Sequence, residues 1–287
     1  MKPFPIPVVA LGPGTQSEDE TLDYVSMPKD MDTYRPPVLP EPEEIAGRAK
    51  ARAALGCVLA MLDAAADGQP GGQVSLLDLP AEDRQLINQV LGEGEASALV
   101  RTEGSPLELR IQESVFAGVW RLMTFNAGML VDDAIEVGPV PMQLRTLADE
   151  DAQSLYRPWR GPMPPNVQNA PLLVEEVRDQ IARWQPGQPP HVVNLTLLPV
   201  TPEDIAFLDH QLGTGRVLLL SRGYGNCRIT NTRHPHCWRV IYYNSMDKVI
   251  LNTVEVVDMP EVAMAAPEDL RDSHERLADV LGYLEQA

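Results

Sequence analysis

The chain is poor in cysteine, in basic side chains and in long apolar runs, and each shortage excludes something. Its three cysteines, Cys57, Cys227 and Cys237, are too few and too widely spaced for a disulfide framework, so a reducing cytoplasm fits best. The richest apolar stretch, Ala53 to Leu62, is interrupted by Gly56 and Cys57 and falls short of a bilayer span, so no membrane insertion is expected. The first residues, Met-Lys-Pro-Phe-Pro-Ile-Pro-Val-Val-Ala-Leu-Gly, have too short an apolar core for a secretory signal. Lysine and arginine number 23 against 41 acids, a formal charge of −18 whose field repels phosphate. Nucleic acid and anionic membranes are therefore poor partners, and a basic partner is favoured. No nucleophile elbow, paired-carboxylate site or oriented Cys-His set is present. No enzyme activity and no bound cofactor are expected.

What is there in excess is proline, 27 residues, and a repeat of the chain within itself. Leu109 to Asn126 is answered by Cys227 to Asn244, with Arg110, Ile111, Trp120, Arg121 and Asn126 recurring as Arg228, Ile229, Trp238, Arg239 and Asn244. Leu79-Pro80 with Glu82-Asp83 is answered by Leu198-Pro199 with Glu203-Asp204, Leu91-Gly92 by Leu212-Gly213, and Ile135-Glu136-Val137 by Val254-Glu255-Val256. A period of about 120 residues exceeds a solenoid unit and predicts two copies of one α+β unit. The expected organisation is an extended, acidic, Pro-rich arm over 1–41, a first repeat over 42–150, a stiff Pro-rich linker over 151–168 and a second repeat over 169–287. Two such units commonly pack about a pseudo-twofold axis.

Within each repeat the spacing predicts a helix, a strand, a helix and then a four-stranded antiparallel meander. Leu55, Val58, Leu59 and Leu62 mark an amphipathic helix ending at Gly68, and a strand is expected over 73–79. Helices follow over 81–91 and after Thr201-Pro202, each with acids in its first turn. Strands are expected near 95–101, 106–113, 117–125 and 129–138, then near 215–222, 226–232, 236–243 and 248–257. A second leading helix covers about 171–184, and a closing helix over 267–285 has Leu270, His274, Leu277, Leu281 and Leu284 on one face.

Cys227, His234, His236 and Cys237 form a candidate metal set, because thiolate and imidazole suit zinc and related ions. Hairpin spacing argues against it: the two cysteines should stand about three rungs or roughly 10 Å apart, and Cys237 points away from His236. Cys227 and Cys237 align with Leu109 and Val119, which favours small buried hydrophobes, and His234 and His236 align with Phe116 and Gly118 at an exposed turn. Arg239 with Glu255, and Arg121 with Glu136, are expected as cross-strand ion pairs, while Trp120 and Trp238 read as core anchors. The loop Arg222-Gly223-Tyr224-Gly225-Asn226-Cys227 leads into no helix and makes a poor phosphate cradle; with Asn244, Ser245 and Asp247 of the next turn it is the candidate protein-binding surface.

At Gly223-Tyr224-Gly225-Asn226-Cys227-Arg228-Ile229, Trp238-Arg239, Tyr243-Asn244-Ser245-Met246-Asp247, Leu251 to Val256 and Val262 to Leu270, the chain resembles the HupH/HyaF/HoxQ family of hydrogenase expression proteins. Gly12 to Gln16, Leu22-Asp23-Tyr24 and Pro36 to Pro40 carry the same likeness. The resemblance implies a cytoplasmic chaperone in maturation of a membrane-bound uptake nickel-iron hydrogenase. Its implied client is the iron-sulfur small-subunit precursor before twin-arginine export, with other hydrogenase accessory proteins as further candidates. The alternative is a thiol or metal handler that protects or transfers an iron-sulfur cluster or ion through Cys227.

Overall fold

The computed structural model of the protein describes residues 47–102, 104–152, 159–222 and 226–286. The expected arm over 1–41 and the loop residues Gly223, Tyr224 and Gly225 lie outside the described residues. In chain order the elements begin with α1 (Ala49–Ala66), β1 (Gln73–Ser75), α2 (Ala81–Leu91), β2 (Ala96–Arg101) and β3 (Leu107–Glu113). There follow β4 (Val119–Asn126), β5 (Met129–Val137), α3 (Met142–Asp151), α4 (Ala170–Arg183) and β6 (His191–Asn194). The chain closes with α5 (Pro202–Leu212), β7 (Val217–Ser221), β8 (Asn226–Asn231), β9 (Cys237–Tyr243), β10 (Val249–Val256) and α6 (Pro267–Gln286). Strand pairs within each unit are antiparallel, and the protein is α+β.

Chain contacts divide the described residues into two compact units. The first holds residues up to Leu144 together with those from Glu261, and the second holds Arg145–Pro260. Strand order in the first is β1-β5-β4-β3-β2, and the second repeats it as β6-β10-β9-β8-β7. The registers correspond as well. Ile111 faces Leu122 as Ile229 faces Val240, and Trp120 faces Glu136 as Trp238 faces Glu255. Each indole Nε1 donates to the carbonyl just past the next strand, Gly138 at 3.0 Å and Asp258 at 3.1 Å, so both tryptophans anchor the interior with their polar edge satisfied.

The apolar spacing of α1 buries Ala51, Leu55, Val58, Leu62 and Ala65. They share one core with Phe116, Val119 and Ile135 and with Leu270, Leu277, Leu281 and Leu284 of α6. The closing helix, counted with the second repeat by sequence position, thus belongs by packing to the first unit. Its leucine stripe finds there the apolar face of α1. In the second unit Ala170, Val174 and Val177 of α4 pack with Phe207, Leu208, Leu212, Cys237, Val254 and Val256.

Two other expectations change. The strand predicted over 73–79 stops at Ser75, because Leu79 N donates to Leu76 O and turns the chain. Helix α3, unmarked by any strong periodicity, appears after Pro141.

The second acid of each matched pair has a role beyond its own helix. Asp83 Oδ1 accepts from Ala51 N at 2.9 Å, at the start of α1. Asp204 Oδ1 accepts from Gln168, Asn169 and Ala170 N at 2.7, 2.9 and 2.9 Å, at the start of α4. Its Oδ2 accepts from Thr201 N, and Thr201 Oγ1 accepts from Asp204 N, closing a capping box on α5. One buried carboxylate therefore serves two helix starts, where unpaired N–H groups and the helix dipoles favour negative charge.

Candidate functional site

The candidate surface begins where β8 meets β9. Asn226 opens β8 opposite Tyr243, the last residue of β9, so the residues flanking the Gly-rich loop and the turn 244–248 share one end of the sheet. Asn244 shapes that turn: its Oδ1 accepts from Met246 N at 2.9 Å and Lys248 N at 3.0 Å. Asp247 takes a left-handed φ of 56°, which an aspartate tolerates better than most residues. Ser245 and Asp247 are exposed, and Met246 and Ile250 present apolar surface with 66% and 56% exposure. Arg222 and Asn226 are half-buried.

Cys227 lies beneath this surface. It is buried opposite Tyr242, and burial, only partly offset by a hydrogen bond with the Tyr242 hydroxyl, pushes its thiol up to about 12. Cys237 sits in the second core, where burial likewise pushes it up to about 12. The strand register sets the two further apart than the sequence spacing suggests. Cys227 is opposite Tyr242, and Thr232 N donates to Cys237 O, so the cysteines are about five rungs or roughly 17 Å apart on opposite faces.

His234 and His236 are half-buried rather than exposed. His234 Nε2 lies 3.3 Å from Gln211 O, and burial lowers its pKa. His236 adopts φ 54° at the place where the first unit has Gly118 at φ 79°. Its ring stacks on Trp184, centroids 3.5 Å apart at 14°. In the first unit the matched spot needs glycine, since a Cβ on Gly118 would stand 2.1 Å from Leu270 Cδ2.

Arg145, Asp149, Asn231, His234, His236 and Asp258 line a shallow cleft in the second unit, and Arg145 Nη1 pairs with Asp258 at 2.8 Å. Its interior of about 10 Å³ has room for one water, not a substrate. Among the described residues no cluster of three or more His, Cys, Asp or Glu could hold a metal ion, and Cys227, His234, His236 and Cys237 do not converge. Nor is any described helix long and apolar enough to cross a membrane.

The expected arginine–glutamate pairs are replaced. Arg121 stands opposite Ile135, so strand alternation puts Glu136 on the other face and Asp133 on the same one. Arg121 accordingly pairs with Asp133, and Glu136 accepts from Met142 N. Likewise Arg239 stands opposite Val254 and approaches Asp209 of α5, while Glu255 accepts from Thr253 Oγ1. Strand parity, readable only once the register is known, was the missing signal.

Residues 49–158 and 167–284 each match the family model described as the HupH hydrogenase expression protein, C-terminal conserved region. The chain belongs to the HupH family of hydrogenase expression proteins. It is 55% identical, over 99% of each chain, to the hydrogenase expression/formation protein HoxQ of Cupriavidus necator. Identity to the hydrogenase expression/formation protein HupH of Rhodobacter capsulatus is 46% over 97% of each chain. Against the hydrogenase-1 operon protein HyaF of Escherichia coli it is 32% over 96% of each. A solved structure of the hydrogenase expression protein HupH from Thiobacillus denitrificans is 25% identical, covering 38% of this chain and 92% of that one with a TM-score of 0.36. The two matched segments of the HupH-family chain each carry one helix–strand–helix–meander series.

Proposed function

We propose that the protein is a non-enzymatic accessory protein of nickel-iron hydrogenase maturation, holding the iron-sulfur small-subunit precursor in the cytoplasm before twin-arginine export. The observation that carries this reading is the full-length likeness to proteins named for hydrogenase expression and formation. The proposed contact residues are Arg222, Asn226 and Cys227 with Asn244, Ser245 and Asp247 at one end of the second unit, together with residues 223–225, which lie outside the described residues. Exposed Met246 and Ile250 beside it offer the apolar area that chaperone surfaces use. Cys227 supports this surface from below. The same proposal takes the two units as tandem copies of one ancestral unit, on the strength of their common strand order and matched registers.

The thiol-handling alternative draws little support from the site. A buried thiol pushed up to about 12 is protonated at neutral pH, whereas the thiolate is the nucleophile and metal ligand. Co-purification with the small-subunit precursor, with and without its signal segment, tests the main reading. A complex weakened by Asn244→Ala together with Met246→Asp is the expected result. Failure to recover any complex with either form would remove the client assignment. Cluster absorbance lost in Cys227→Ser would restore the thiol reading.

A further inference from the structure

The two units satisfy one matched arginine in different ways. In the first, Arg121 is answered within the sheet: Nε and Nη2 donate to Asp133 Oδ1 and Oδ2 at 2.5 and 2.7 Å. Nη1 also donates to Asn88 Oδ1 on α2. In the second unit Asn252 stands where Asp133 does, each two residues before the matched Ile135 and Val254. Asp209 stands where Asn88 does, each three residues before the matched Leu91-Gly92 and Leu212-Gly213. Carboxylate and amide have exchanged places between strand and helix.

The exchange changes how the helix is held. Asp133 comes from the neighbouring strand, is 1% exposed and grips Arg121 with both oxygens. Asp209 is on α5, its side chain 48% exposed, and its Oδ1 is 3.7 Å from Arg239 Nη2, an attraction without a hydrogen bond. Arg239 Nε, Nη1 and Nη2 and Asn252 Oδ1 are buried without hydrogen-bond partners. Burial lowers the Arg239 pKa and raises that of Asp209, and in each case their mutual attraction offsets only part of the shift. Beside Asp209, the end of α5 supports the β8–β9 connection, where Arg233 N donates to Leu212 O and His234 meets Gln211 O.

We infer that Asp209 and Arg239 form a salt-sensitive latch holding the last turn of α5 and the β8–β9 connection on the second sheet, a latch absent from the first unit because Asp133 answers Arg121 inside the sheet. Salt reaches the half-exposed Asp209 carboxylate, which makes no hydrogen bond to its buried arginine, more readily than it reaches the buried, bidentate Asp133. Matched amides report on each place: Gly213 N to Asp209 O and Arg233 N to Leu212 O in the second unit, Gly92 N to Asn88 O and Val115 N to Leu91 O in the first.

Hydrogen exchange on the full chain tests the latch. Raising salt from about 0.05 to about 0.5 M should speed exchange at Gly213 and Arg233 by about three- to tenfold and leave Gly92 and Val115 within about twofold. Asp209→Asn should speed Gly213 and Arg233 at low salt and abolish their further response. In an Asn252→Asp background, which restores the first unit's carboxylate, Asp209→Asn should have little effect. Equal salt responses in both units, no response in either, or equal effects of Asp209→Asn in both backgrounds would overturn the inference. If Asn252→Asp does not fold, the comparison of matched amides in the unaltered chain still decides.

Discussion

Replacing Glu113 by glutamine should do little below about pH 4.5 and stabilise the protein increasingly as pH rises from there to about 7 and beyond. Glu113 ends β3, where its Oε1 accepts from Gly118 N at 3.2 Å. Burial pushes its carboxyl up to about 7, backbone donors from Gly118 and Ala96 oppose this, and Glu95 and Asp269 add repulsion. The matched residue in the second unit is Asn231, a neutral amide whose Oδ1 accepts from Val217 N at 3.0 Å and whose Nδ2 donates to Asp151 at 2.9 Å. A carboxyl whose folded pKa is raised from 4.5 favours the fold when protonated, and that contribution is lost as pH climbs toward and past about 7. At about 1.4 kcal/mol per unit the full difference is about 3 kcal/mol, and partial solvent access lowers it to about 1–2 kcal/mol. Urea denaturation of Glu113→Gln and the unaltered chain at about pH 4.5 and about pH 8.5 measures it. The variant's advantage should appear only at the higher pH; an equal difference at both would refute the reasoning.

Asp204→Ala should cost about 2–3 kcal/mol, since it strips an acceptor from four backbone N–H groups at two helix starts. Burial alone would raise that carboxyl, but those donors outweigh it and hold its pKa below 3.8, so its stabilisation is present above that value and lost as pH falls through the lowered pKa. Acid denaturation of Asp204→Ala should therefore show a shallower pH dependence than the unaltered chain. Gly118→Ala should lower the thermal midpoint by more than His236→Ala, because only the former drives a Cβ into Leu270; a smaller effect at 118 would contradict the packing. Under native conditions a thiol reagent should label Cys57 quickly and Cys227 and Cys237 only on unfolding. Rapid labelling of Cys227 would contradict its burial.

Local pattern located most of the elements. Alternation and turn residues put the eight meander strands within two residues of their observed ends, and the Leu55, Val58 and Leu62 spacing found α1, whereas the strand at Gln73 ends four residues early and α3 carried no mark. Pattern failed where the outcome depended on register or on a distant partner. Whether Arg121 meets Glu136 or Asp133 is decided by the pairing of β4 with β5, and one rung changes the answer. The leucine face of α6 was visible, but an apolar stripe does not say which of two similar cores receives it. Asp83 and Asp204 looked like acids for their own helices because the helix starts they cap lie 32 and 34 residues away. At the candidate surface, sequence singled out Asn244 and Asp247, whose residue types suit the turn they make. It overstated the approach of Cys227 to Cys237 because the hairpin turn is longer than the spacing implied.

The two units keep their sheet registers and diverge at particular matched positions. Ile111 and Ile229, Trp120 and Trp238, and their cross-strand neighbours keep identical registers, so the sheet geometry in each unit tolerates little change. Among the matched positions that differ are interior polar and turn sites: Glu113 against Asn231, Gly118 against His236, Asp133 against Asn252. Each alters what holds a helix or a hairpin to the sheet without moving a strand. In the first unit Gly118 admits Leu270 of α6, and Phe116 completes an apolar interior. In the second the same turn carries His236 stacked on Trp184 and His234 against α5, beside a polar cleft. The salt response should therefore be larger at the second unit's α5 and β8–β9 connection than at the matched place in the first, where the buried Asp133 grips Arg121 with both oxygens.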